Sequence, residues 1–476
     1  MNRILAEFDQ ITKIPRPSHQ EGQIAAYLYE WAKKHDLYVE KDQNNNVYMK
    51  LPATKGFENK SSIALQAHTD MVCQKAADVD HNFAQDPIEY FIDGDTVSTR
   101  GKTTLGADNG LGVALILAIF SDDNCSHPAL EGIFTTGEED DFYGAAGFDG
   151  SKLKSQYLIN LDNGDENSII CASAGGITID ATRKFNEIKL TDDNYATIKL
   201  SLSGFLGGHS GNDINKGRGN TNLLMMRFLA TLTDLDFYLS SIDGGTFKVA
   251  IPRETTAVLK IKKSELAILQ DRLMNFKEQL QVEFASIAAK ISLVSQASSA
   301  QKVMSTEDFL ALKNYVLTVP IGVEEMSDVF LNLVDASCNL AKVSTQAGQL
   351  TVVSDIRANT DSKRAFISNK IQILATAFGF TTEAYAPYYS WSYKADSPLR
   401  DLVESIYNKN NDQSARALGV HAGLECGYFD HKKTGMDIVS IGPDSWDYHS
   451  PHEAFSLSSL EHFYENLKEI LQTASF

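Results

Sequence analysis

Short apolar runs that stop abruptly in polar residues, each followed by a helix-forming stretch, constrain this chain more than any other feature. "SSIALQAHTDMV" (residues 61–72) is such a run, and "LGVALILAIF" (111–120) is an apolar helix opened by the turn "GADNG" (106–110). "ALEGIFTTG" (129–137) and "SQYLINLDNGDE" (155–166) read as two further strands. Strands alternating with helices imply an α/β fold with a mostly parallel, mixed sheet covered by helices on both faces. Sites in such sheets gather beyond the carboxyl ends of the strands, where His68, Glu138 and Asp162 fall.

Upstream, "SHQEGQIAAYLYEWAKKHD" (18–36) pairs Ser18 with Glu21 at capping-box spacing before apolar positions at helical intervals. "LYVEKDQNNNVYMKL" (37–51) reads as two strands around an Asn-rich turn. After "CASAGGITI" (171–179) the texture changes to a strand-like "ATIKLSLSGF", a Gly-rich "LGGHSGNDINKGRGN" and a helical "TNLLMMRFLATL". These features predict an inserted α+β domain over 177–388, interrupting a larger domain made of 1–176 and 389–476. A length of 476 residues is too great for one ordinary core, which agrees with that division.

The charge balance excludes some partners. With 43 Lys+Arg against 62 Asp+Glu the net charge is −19, which argues against nucleic acid and anionic membrane surfaces. The longest apolar run is too short to span a bilayer, and the first ten residues carry acids where a secretory leader needs apolar ones. Cys73, Cys125, Cys171, Cys338 and Cys426 form no C-x-x-C pair, which suits a reducing, cytoplasmic setting.

Five residues at loop positions form a candidate ligand set: His68, Asp108, Glu139, Asp162 and His452. Two imidazoles and three carboxylates suit zinc or a related divalent ion, manganese and cobalt included. Singly, each has an ordinary alternative, such as turn chemistry for Asp108; their joint placement is the argument. Asp70, two residues from His68 on a strand, points the same way and is placed to take the distal N–H of a ligating histidine. A carboxylate shared by two ions lets the pair hold a water and polarise a carbonyl, and Asp108 is the candidate. A proton acceptor that is not a ligand is also needed, and adjacent Glu138 and Glu139 offer one base and one ligand.

"AHTDMV", "GADNG", "TTGEE", "NLD" and "HSPHE", in this order and with an inserted domain, resemble the cocatalytic dizinc peptidases. That family includes carboxypeptidase G, aminoacylases, carnosinases and aminoacyl-histidine dipeptidases, and "HAGLECG" and "DYHSPHE" look most like its Xaa-His dipeptidase branch. The resemblance implies a phosphorylase/hydrolase-like catalytic domain and two divalent ions. His68 and Asp162 would hold one ion, Glu139 and His452 the other, and Asp108 would bridge. Asp70 would orient His68, and Glu138 would be the general base. It further implies that the inserted domain is a lid with homodimer contacts, in which His209 of "GGHSG" steadies an oxyanion and Arg357 of "VVSDIRANT" clamps the substrate's terminal carboxylate. His449 competes with His452, which is preferred because an acid, Glu453, follows it. Spacing leaves the roles of His421 and Glu425 open, and Asp140 and Asp141 read as an acidic turn.

The expected activity is hydrolysis of Xaa-His dipeptides, carnosine-like substrates included. An N-acyl amino acid deacylase or aminotripeptidase on the same scaffold, and a catalytically silent metal-binding homologue, are the alternatives.

Overall fold

The computed structural model describes residues 2–411 and 413–476. The chain forms two compact units, one of Met1–Ser173, Trp391–Val420 and Leu424–Phe476, the other of Ala174–Ser390 and His421–Gly423.

In the first unit eight strands form a sheet. Their order is Tyr38–Lys41, Val47–Leu51, Leu130–Thr135, Ile63–His68, Tyr157–Asn160, Asp437–Ser440, Ser168–Ser173 and Arg416–Val420. The centre is parallel, with His68 opposite Thr135, Gln66 opposite Asn160, and Asn160 opposite Ser440. This register brings the carboxyl ends of four neighbouring strands to one edge. Every residue of Ile63–His68 and Leu130–Thr135 is buried, as expected of strands covered on both faces. At one side of the sheet the Asn-rich segment closes an antiparallel hairpin, where Asp42 Oδ1 accepts the amides of Asn44 and Asn46.

The helix Ala107–Phe120 is buried along its length except at Asp108, so its apolar residues need no periodic pattern. Its second glycine answers to space rather than to torsion. A Cβ on Gly112 would lie 2.1 Å from Asn109 Oδ1 and 2.7 Å from the Leu161 carbonyl, so the helix passes the strand ends only with glycine there.

The capping-box expectation at Ser18 is corrected. The helix Gly22–Lys34 does bury Ile24, Ala25, Leu28, Trp31 and Ala32, but neither side chain caps it. Ser18 Oγ donates to Asp70 Oδ2 at 2.8 Å, and Glu21 accepts the amide of Gly137 at 3.0 Å. Two loops of the sheet edge compete for these groups and win, because each supplies a buried polar partner.

A four-stranded sheet, Ser445–Trp446, Ala454–Ser456, Thr96–Ser98 and Phe91–Asp93, stands beside this frame. Its first two strands pair Trp446 with Ala454 and so close a tight loop over 447–453. That loop carries His449 and His452.

In the second unit the described residues form a nine-stranded antiparallel sheet. The helices Thr221–Ala230, Leu266–Glu283, Thr306–Thr318 and Asp361–Ala377 belong to the same unit. Leu224, Phe228, Phe276, Tyr315 and Ile371 share its core. Asn220 caps the first of these helices by accepting two amides. Among the described residues no helix is long and apolar enough to cross a membrane.

Candidate active site

Three strand ends, one helix start and one loop deliver acids and imidazoles to the edge of the parallel sheet. His68 ends its strand; Asp108 opens the buried helix, where Asp108 and Asn109 depart from helical torsions. Glu138 and Glu139 follow the strand Leu130–Thr135 across the turn at Gly137, and Asp162 follows Tyr157–Asn160.

Asp108 stands at the centre. Its Oδ1 lies 2.9 Å from His68 Nε2, which is also 3.4 Å from Asp162 Oδ1. Its Oδ2 lies 3.4 Å from His449 Nε2, which is 2.9 Å from Glu139 Oε2. One carboxylate therefore faces two pairs, each of one imidazole and one acid. Ligand atoms of His68, Asp108 and Glu139 lie within 4.8 Å of one another.

The fourth pair member differs from expectation. His452, the expected ligand, is exposed and its ring lies beside Gly101, where a Cβ would come 3.5 Å from Cε1. His449 reaches the cluster instead. The cause is Glu453, only 2% exposed, whose carboxylate accepts the amides of Leu105, Gly106 and Asp108 at 2.7, 2.9 and 3.0 Å. Pinned inward, Glu453 turns its neighbour His452 outward, and the positive φ of 58° at His449 folds the loop back. The acid that drew attention to His452 is an anchor for the Asp108 turn.

Asp70 is fully buried and serves three loops at once. Its Oδ1 lies 3.3 Å from His68 Nδ1 and accepts the Glu138 amide at 3.1 Å. Its Oδ2 accepts the Glu139 amide at 3.2 Å and the Ser18 hydroxyl. Burial alone would raise its carboxyl, yet His68, Ser18 and the Glu138 amide hold it below the usual range. Replacing it should be felt at His68 and at both glutamates. Asp70→Asn is expected to weaken Zn²⁺ binding about 10- to 100-fold, the usual cost of losing such a partner, measured by chelator competition; unchanged affinity would refute the role.

The electrostatics of the cluster are those of excess buried negative charge. Burial and the charge of Asp108 push Glu139 up to about 7. Burial, and then Asp108 against the opposing His68, brings Asp162 to about 6. Glu138 is raised well above the carboxylate range by burial, with Asp162, Glu139 and Glu425 adding to it and His68 opposing. His449 is driven up to about 10 by its bonds to Asp108 and Glu139, and His68 is held high by Asp162, Asp108 and Asp70 although burial opposes this. Glu139 Oε1 is buried with no hydrogen-bond partner. Such a set, hard oxygens and imidazoles converging on uncompensated charge, fits divalent cations.

Several contributors were not legible beforehand. Asn109 Nδ2 donates to Asp162 Oδ1 at 3.0 Å. Glu425 is fully buried; its Oε2 accepts from Gln66 Nε2 and Thr135 Oγ1, both at 2.6 Å. Only the "HAGLECG" wording hinted at Glu425. Asp140 and Asp141 lie exposed in the turn, where Asp141 Oδ1 accepts the Tyr143 amide.

In the second unit His209, Ser210, Asp355, Arg357 and His421 cluster. Arg357 is 6% exposed; its Nε donates to Ser210 Oγ at 3.3 Å and lies 3.6 Å from Asp355 Oδ2. His209 Nδ1 accepts the amides of Gly211 and Asn212, both at 3.2 Å, which leaves the proton of the neutral ring on Nε2. Burial and then Arg357 lower His209 to about 4, so the ring is neutral at pH 7. His421 Nε2 lies 2.7 Å from Ser337 Oγ, and burial lowers this histidine to about 3.

The chain is similar to several known proteins. Residues 200–287 match the model of the M20 peptidase dimerisation domain. Over 470 residues the chain is 37% identical to the cytosol non-specific dipeptidase of Escherichia coli (strain K12), covering 98% of this chain and 96% of that protein. The crystal structure of aminoacylhistidine dipeptidase from Vibrio alginolyticus matches at a TM-score of 0.91 with 34% identity, over 99% of this chain and 96% of that one. The aminopeptidase PepT of Bacillus cereus matches at a TM-score of 0.62 with 14% identity, over 100% and 99% of the two chains, a likeness of fold alone.

Proposed function

Because the chain belongs to the M20 family of metal-dependent peptidases, among its dipeptidases, we propose that it hydrolyses dipeptides, Xaa-His and carnosine-like ones included. The observation that carries this reading is the double contact of Asp108, one oxygen toward His68 and Asp162, the other toward His449 and Glu139. On this reading His68, Asp162, Glu139 and His449, with Asp108 between them, would hold two divalent ions.

Such a pair supplies Lewis acidity toward a carbonyl and an acidified water; zinc is the first candidate, and manganese and cobalt accept the same donors. The chain's own groups supply the rest. Glu138 is the general base: it is adjacent to a ligand without being one, and its raised proton affinity suits a group that takes a proton and returns it to a leaving amine. Asp70 keeps His68 in one ring orientation while holding the amides on either side of the base. His209, a neutral Nε2–H donor, would steady an oxyanion. Arg357, tied through Nε to Ser210, would offer its outer fork to the substrate's terminal carboxylate.

The dimerisation-domain match supports a homodimer built through the second unit, and the name of the Escherichia coli relative supports a cytoplasmic setting. The division into a catalytic domain of 1–176 with 389–476 and an inserted lid of 177–388 belongs to the same reading.

The test is a substrate panel on zinc-loaded protein. Carnosine and Xaa-His dipeptides should be cleaved along with other dipeptides, with activity lost to a chelator and restored by Zn²⁺. Faster turnover of N-acetylated amino acids or tripeptides would overturn the assignment.

A further inference from the structure

Four residues just ahead of the helix Gly22–Lys34, namely Arg16, Ser18, His19 and Glu21, touch the edge loops of the sheet, yet none belongs to the proposed ligand set. Arg16 is 2% exposed; its Nη1 donates to the carbonyls of Thr69 and Asp70 at 2.9 and 3.0 Å, and its Nη2 donates to the carbonyl of Gly106. Ser18 donates to Asp70. Glu21 is 1% exposed, and its Oε1 accepts the amides of Gly137 and His19, both at 3.0 Å, while its Oε2 accepts the Tyr143 hydroxyl at 2.8 Å.

The contacts of Glu21 converge on the turn that aims Glu138. Gly137 has φ +65°, and a Cβ there would lie 2.1 Å from the Tyr143 ring. The Cδ1–Cε1 side of the ring therefore packs against the glycine, and Glu21 holds the ring by its hydroxyl and the glycine by its amide. On its outer side Tyr143 stacks against His19 at 5.1 Å and 13°, and His19 Nε2 lies 2.7 Å from Asp140 Oδ2. Asp70 holds the next two amides, so the backbone of 137–139 is fixed at three successive N–H groups by two buried carboxylates. A helix-capping carboxylate would touch its own helix, and this one does not.

We infer that Glu21 is a positioning residue for Glu138 and Glu139, acting through the Gly137 amide and the Tyr143 ring. This rests on the assignment of Glu138 as base. Losing the carboxylate leaves the buried Gly137 N–H unpaired and frees the ring. A base displaced by about 1 Å loses up to about 10²-fold in rate. Glutamine in its place keeps an acceptor oxygen for the Gly137 and His19 amides and a polar group for the Tyr143 hydroxyl.

Three variants of the full chain decide the matter: Glu21→Ala, Glu21→Gln and Tyr143→Phe, read by hydrogen exchange over 136–144 and by kcat and KM on a dipeptide. In Glu21→Ala, exchange over this segment should quicken at least about tenfold, and kcat should fall about 10- to 100-fold with KM within about threefold. Glu21→Gln should restore most of both, and Tyr143→Phe should lie between. Should Glu21→Ala fail to fold, the other two carry the comparison. Unchanged exchange over 136–144, a normal kcat despite faster exchange, or a glutamine variant no better than alanine would each overturn the inference. If the wild-type protein cleaved no dipeptide, the functional reading would fall, while the exchange data would still judge the contact.

Discussion

Glu138→Gln is expected to lower kcat by about 10²- to 10⁴-fold, the range over which positioned proton transfer contributes, while metal content stays at the wild-type value. The substitution removes the proton acceptor and keeps the volume, in a site where the chain path is held by Asp70 rather than by Glu138 itself. Glu139 and Asp108, which face His449, are not altered. Metal analysis beside steady-state kinetics separates the two roles. A variant that loses an equivalent of metal would make Glu138 a ligand, and one that keeps full activity would remove it from the reaction.

His449→Ala and His452→Ala should differ sharply. The first removes the imidazole that lies 2.9 Å from Glu139 and 3.4 Å from Asp108, so it should weaken binding of one of two metal equivalents and lower kcat/KM by about 10²-fold or more, about 3 kcal/mol in the transition state. The second removes an exposed ring beside Gly101 and should change kcat/KM by less than about twofold, as surface substitutions do. Metal stoichiometry after dialysis, with kcat/KM, reads both. The reverse ranking would return the ligand to the position that the sequence pattern favoured.

That pattern and the observed geometry part for a physical reason. In "HSPHE" an acid after a histidine is a reasonable sign of an ordered ligand, but a carboxylate in a loop takes whichever amides come within reach. Here the amides of Leu105, Gly106 and Asp108 take Glu453, and the loop's direction follows from that anchor. Nothing local to residues 449–453 distinguishes the two imidazoles, because the partner that decides lies more than three hundred positions away. Ser18 and Glu21 fail as a capping box in the same way: their spacing is correct for a cap, but the Asp70 carboxylate takes the Ser18 hydroxyl, and the Gly137 amide and Tyr143 hydroxyl take Glu21.

Where the sequence succeeded, the signal was local or strongly periodic. The runs ending at His68, Thr135 and Asn160 are mostly apolar and almost wholly buried, as strands covered on both faces must be, and the polar break marks the edge where chemistry can sit. His68 stands at such a break, Glu139 and Asp162 follow others, Asp108 opens the buried helix, and the structure brings the four together.

From the sequence alone, then, came the α/β class, the parallel edge, the change of texture after residue 176 and most of the residues that gather about Asp108, since each depends on residues near one another in the chain. Only the tertiary structure decided that His449 rather than His452 joins Asp108, that Asp70 holds both glutamate amides, and that Glu21 braces the base loop. Each of those rests on a buried carboxylate choosing among amides brought together by folding, a choice that spacing along the chain does not encode.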